Sequence, residues 1–191
     1  MVDLAFFNTT KRTGSSDELY AVIGRALAVA THYETNCKAL VSMLEIRKQP
    51  ALLNDVQEVE EKLKELQKRG LFNNIQVLTS IHKKTAKNQK DKPEAARVNE
   101  ELADYLFKKL DKARESRNII AHEITLGIEN NAEYEDYKGK TIEIIQEQIK
   151  YIAEADFYIA GVFEYFNKTN IAPSLDKYIE RIINWVCKTE Y

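Results

Sequence analysis

The six residues RNIIAH, at positions 117–122, set an arginine five places before one of only three histidines in the chain. Arginine is permanently cationic and presents a planar fork that grips two phosphate oxygens. Histidine exchanges a proton near neutral pH. Held together by packing at Ile119, Ile120 and Ala121, Arg117 and His122 would suffice to cleave a phosphodiester in RNA without a metal ion. The competing reading is structural. An arginine and an asparagine are favoured at a helix C-terminus by capping and by the helix dipole, and His122 would then only satisfy a neighbouring carbonyl.

Other residues are weaker candidates for the same chemistry. His32, Glu34 and Asn36 lie on the polar side of an early helix, next to Tyr33 and Cys37 on its apolar stripe. Glu34 there would border a cleft at Arg117 and His122 and orient the base, or would simply belong to a solvated face. Asp156 falls in a stripe of apolar residues between Ile152 and Ile159. A buried carboxylate needs a partner, which Arg117 or another cation would provide; otherwise the helix rotates and Tyr158 and Val162 take over the buried face. Lys83, Lys84, Lys87, Lys90, Lys92 and Arg97 form the concentrated basic run. Folded over the cleft it would track an RNA backbone, although a solvated loop is the commoner role of such a run. His82 beside it has no metal-ligand spacing to any partner. Neither H-E-x-x-H, a Cys/His cluster nor a glycine-rich phosphate loop occurs, so the readings as a zinc hydrolase or P-loop enzyme are poor.

These residues need helices to place them. Ser15 and Glu18 have capping-box spacing. After them Leu19, Ile23, Ala26, Ala30, Tyr33, Cys37, Leu40 and Leu44 recur in steps of four and three, winding one apolar stripe along a long helix that ends by Pro50. A second amphipathic helix is predicted over about 54–69, with Val56, Val59, Leu63 and Leu66 inward and Gly70 as its stop. A third carries Phe72, Ile75, Leu78 and Ile81, and residues 83–93 read as an exposed loop. Pro93 opens a helix whose buried face is Val98, Leu102, Tyr105, Leu106, Leu110 and Ala113, leading into Arg117. After His122 the chain is punctuated by Gly and Asn, and a short hairpin or ordered loop is expected near residues 124–128. From about Thr141 a long helix carries Ile145, Ile149, Ile152, Ile159, Phe163 and Phe166. Pro173 and Ser174 separate it from a last helix with Leu175, Tyr178, Ile179, Ile182 and Val186. The fold class expected is all-α: a compact bundle of about five or six helices with a short irregular insertion after the motif, forming one domain over residues 1–191.

Composition agrees with that class. The chain has 191 residues, 44% hydrophobic and 30% charged, and only six glycines and three prolines to break helices. A net charge of −2 supplies no global basic field for nonspecific nucleic-acid binding, so any RNA would be held by a local patch. Cys37 and Cys187 lie far apart and suggest a reduced compartment. No apolar run approaches the roughly 18–20 residues of a membrane helix, and the opening order of apolar then basic residues is the reverse of a secretion signal. The sequence reads as cytoplasmic, with no membrane contact and no cofactor.

RNIIAH resembles the R-x4-6-H signature of the HEPN superfamily, including the polar residue that commonly follows the arginine. The likeness covers the central motif and the general helical layout. It implies a helical, often homodimeric domain acting as a metal-independent endoribonuclease of a toxin, antiphage or RNA-processing system. His122 would then serve as general base or acid, Arg117 would stabilise the charge on the phosphoryl group, and Asn118 would orient one of them or the substrate. Two protomers would form a composite site on RNA, giving 2′,3′-cyclic phosphate ends. A neutralising protein or nucleotidyltransferase partner is also implied by the resemblance. Here, however, the tyrosine that such a transferase modifies in some members, two places after the histidine, is replaced by Ile124. The alternatives are a helical module that binds RNA or a nucleotide without cutting it, and a dimerisation or interaction protein.

Overall fold

The computed structural model describes residues 14–87, 93–124, 135–167 and 174–188. Among them are six α-helices and no strand: α1 Gly14–Arg47, α2 Val56–Gln67, α3 Leu71–Lys87, α4 Pro93–Asn118, α5 Glu135–Asn167 and α6 Leu175–Cys187. A 3-10 turn, Pro50–Asn54, joins α1 to α2. The helix count and the all-α class are those expected from periodicity. The hairpin or loop expected near residues 124–128 lies outside the described residues apart from Ile124, which is helical.

α1 and α5 form the spine. α1 packs on α2, α3, α5 and α6, while α4 lies against α3 on one side and α5 on the other. The long stripe read for α1 is buried at Leu19, Ile23, Ala26, Ala30, Tyr33, Cys37 and Leu40, and it meets Ile145, Ile149, Ile152 and Ile159 of α5 in one core. Steps of four and three keep these side chains on one side of helices that turn every 3.6 residues. The Tyr33 hydroxyl donates across the core to the Leu110 carbonyl of α4 at 3.0 Å. Arg25 Nε donates to the Val186 carbonyl at 2.8 Å, placing a cation on the C-terminal turn of α6.

Several boundaries and faces differ from the sequence reading. α1 already begins at Gly14, so Ser15 lies inside its first turn rather than capping it. α2 is capped by Asp55, whose Oδ1 accepts from the amides of Gln57 at 2.8 Å and Glu58 at 3.3 Å. Val56 therefore sits at the first turn, 73% exposed, and not on the inner face. Gly70 does not stop α2, which ends at Gln67; its carbonyl starts α3 by accepting from Asn74. Residues 83–87 continue α3 instead of opening a loop, as lysine and alanine are good helix formers. Phe72 is exposed, with the Arg114 guanidinium 5.4 Å from its ring centroid.

The inner stripe of α4 is also rotated. Leu102 and Tyr105 are exposed, whereas Ala103, Leu110, Ala113 and Ile120 are buried. α4 and α5 run antiparallel, which the paired contacts along their seam make plain. The Tyr105 and Tyr158 hydroxyls meet at 3.0 Å, Lys109 pairs with Glu154 at 2.6 Å, and Lys112 lies 5.1 Å from the Tyr151 ring centroid.

Candidate functional site

The buried positions of α4 run through Leu110, Ala113 and Ser116, and Arg117 flanks the last of them, partly buried. A partly buried guanidinium there needs an acceptor. Glu34 of α1 provides it. Arg117 Nη2 lies 3.1 Å from Glu34 Oε2, and Arg117 Nη1 donates to Asn118 Oδ1 at 3.3 Å. Lys38, one turn further along α1, holds the other carboxylate oxygen at 2.9 Å. The hydrogen bond from Lys38, reinforced by the charges of Lys38 and Arg117 against a smaller opposing effect of burial, keeps the Glu34 carboxyl below the usual glutamate range. Glu34 is therefore an anion that fixes the arginine.

Immediately after Asn118 the helix changes winding. Ile119–Glu123 forms one turn of π-helix, closed by the Ile124 amide donating to the Ile119 carbonyl. Positions five apart on a regular α-helix lie about 140° around the axis from each other. The i→i+5 bonding of a π-turn turns the chain less per residue, so the angle between these two positions is smaller here than on a regular α-helix. Ile120 is wholly buried and anchors the turn, while His122 is exposed. Ile124, just after the turn, is buried in the core. Such π-turns occur frequently at functional sites, and no periodicity in the sequence announces this one.

The remaining predicted residues separate into two groups. Glu34 borders the Arg117 side of the motif, where it pairs with the arginine. Asp156 is elsewhere. It is buried in its stripe position, but among the described residues its hydrogen-bond partners are neither Arg117 nor another cation. Asn36 Nδ2 donates to its Oδ1 at 2.9 Å and Tyr178 Oη donates to its Oδ2 at 2.6 Å. Two neutral donors suffice because each carboxylate oxygen keeps hydrogen bonding without neutralisation of the charge. Burial, then the hydrogen bond and charge of Asp156, push the Tyr178 phenol up, so it remains a donor. Asn36 Nδ2 also faces His32 Nδ1 at 3.0 Å. Tyr178 and Asn36 were not expected as partners of Asp156; the only hint was that Tyr178 lies on the inward stripe of α6.

Lys83, Lys84 and Lys87 lie on the last turns of α3; their side chains, that of Arg97, and residues Lys90 and Lys92 fall outside the described residues. The same holds for the His82 side chain. Among the described residues, no group of His, Cys, Asp and Glu is arranged to hold a metal ion, and no helix is long and apolar enough to cross a membrane. Burial raises the Cys37 thiol to about 12, making it a packing residue and not a nucleophile.

The molecule is thus an all-α bundle whose central helix ends in an arginine–asparagine–histidine segment wound through a π-turn. No protein-family model, curated protein or solved structure matches the chain.

Proposed function

We propose that this protein is a metal-independent endoribonuclease of the HEPN type, with Arg117 and His122 as its central residues and Asn118 in support. The observation that carries the reading is the RNIIAH segment itself, wound through a π-turn beside an arginine that Glu34 holds in place. In this reading His122 takes the proton from a ribose 2′-hydroxyl, and the 2′-oxygen attacks the adjacent phosphorus. The 5′-oxygen leaves and is protonated, giving a 2′,3′-cyclic phosphate and a free 5′-hydroxyl. Arg117 stabilises the charge that gathers on the non-bridging oxygens. Asn118 shares the guanidinium and orients it. Two protomers would contribute one motif each to a composite cleft, and a neutralising protein would guard the host from the activity.

One observation favours a second reading, a module that binds RNA or a nucleotide without cutting it. The Arg117 guanidinium already has partners in Glu34 and Asn118, so a phosphate must share it or displace them.

End-labelled RNA of mixed sequence, incubated with purified protein in EDTA, separates the two. Cleavage to cyclic-phosphate ends that disappears in folded Arg117→Ala and His122→Ala supports the endoribonuclease. Retained RNA affinity without cleavage supports the binding module.

A further inference from the structure

Asp156 lies at a groove of about 300 Å³ between α1, α5 and α6, well apart in role from the Arg117 segment. His32 and Asn36 are two residues either side of Glu34 on α1, and a two-residue step turns about 200° around a helix. The groove and the Arg117–Glu34 pair therefore use opposite sides of α1. Along α6, Tyr178, Ile182 and Trp185 recur at steps of four and three and form one wall. Ala28 and Val29 of α1 and Ala153 of α5 complete an apolar lining around the polar groups.

Three features of this groove bear on what it takes. The carboxylate is 8% exposed and is held by two neutral donors, so its negative charge is oriented but uncompensated. An ionised carboxylate has about four acceptor positions, of which Asn36 and Tyr178 occupy one on each oxygen. Trp185 is 55% exposed, an unusual place for a large aromatic ring that has no core to fill. Beside it, Asn36 Nδ2 lies 3.0 Å from His32 Nδ1.

A buried anion with acceptor positions left over, lining a groove beside an exposed indole, complements a planar cation. Guanidinium pairs with carboxylate through parallel N–H donors and stacks on tryptophan. An ammonium matches the charge but lacks the flat donor edge. The volume is at the small end for a small-molecule pocket and the groove is open, which suits one side chain better than a whole cofactor. We infer that this groove is a docking site for an arginine side chain of a partner polypeptide, seated between the Asp156 carboxylate and the Trp185 ring. The site stands independently of the ribonuclease reading.

Trp185 is the only tryptophan in the chain, so tryptophan emission, excited where tyrosine does not absorb, reports on the groove. The full chain is titrated with N-acetyl-arginine amide and with its neutral citrulline isostere. The expected result is a saturable change with the arginine compound at millimolar concentration, and binding at least tenfold weaker for citrulline. Asp156→Asn, checked for folding by circular dichroism, should abolish that preference. Ala28→Phe, which fills the groove from an exposed position, should remove binding without touching the buried network. Equal affinity for the two compounds, or no saturable response to arginine, overturns the proposal. Arginine placed within a short glycine–serine peptide should bind at least as tightly as the capped amino acid. Exclusion of that peptide would overturn the polypeptide source.

Discussion

Arg117 of α4 and Glu34 of α1 meet at 3.1 Å across a helix interface, one residue beyond the fully buried Ser116. The pair therefore has a positional meaning: it sets an arginine at the mouth of the π-turn and fixes which way its guanidinium points. Both side chains are partly exposed, at 32% and 22%, so its contribution to stability is small, at most about 1 kcal/mol. Its consequence is orientation.

Glu34→Ala should separate those two roles. A loss of no more than about 1 kcal/mol would move the melting temperature by only a few degrees in a chain of this size. Under the ribonuclease reading, cleavage should fall on the order of tenfold to a hundredfold, because a misplaced arginine no longer meets the phosphoryl oxygens. Rates equal to wild type, measured on the same end-labelled RNA, would show that Glu34 does not position Arg117 for chemistry.

The Glu34 carboxyl also gives a pH signature. Its folded value is depressed, first by the Lys38 hydrogen bond and then by the charges of Lys38 and Arg117. A depressed carboxylate stabilises the fold above its unfolded value, about 4.3, and that contribution is lost as pH falls through the folded value. Urea denaturation of wild type and Glu34→Gln should differ at pH 7 and converge below pH 4. A gap that persists or widens in acid would contradict the sign.

Tyr33→Phe removes the hydroxyl that donates to the Leu110 carbonyl and nothing else. The expected cost is about 1 kcal/mol, against about 3–5 kcal/mol for truncation of the whole buried ring to alanine. Burial pushes the Tyr33 phenol far up, so its stabilisation is full below the ordinary tyrosine value and is lost as pH rises above it. Tyr33→Phe should thus lose stability less steeply than wild type above pH 10, followed by far-ultraviolet circular dichroism.

Ser116 is fully buried and its Oγ has no hydrogen-bond partner among the described residues. A buried hydroxyl left unsatisfied is destabilising, and alanine is the better helix former. Ser116→Ala should therefore be neutral or stabilising, by up to about 1 kcal/mol. A melting temperature lowered by several degrees would mean that the hydroxyl is satisfied in solution, most simply by a bound water.

What the sequence by itself determined was the set of helices and the stripe each one buries, because a 3.6-residue period is a local property that composition and breakers leave visible. The α1 and α5 stripes and the approximate positions of Pro50 and Pro93 at helix ends were all legible in that way. Arg117, His122 and Asp156 were legible too, as chemically marked residues in unusual places. Tertiary structure decided their partners. That Asp156 meets Tyr178 depended on how α6 packs against α5, and that Glu34 meets Arg117 depended on the contact of α1 with α4. The rotation that exposed Leu102 and Tyr105 came from the seam with α5, since a helix presents its face to the neighbour it finds. The π-turn at Ile119–Glu123 had the least local signal, because one extra residue in a turn is invisible to periodicity until Ile120 and Ile124 are drawn into a shared core.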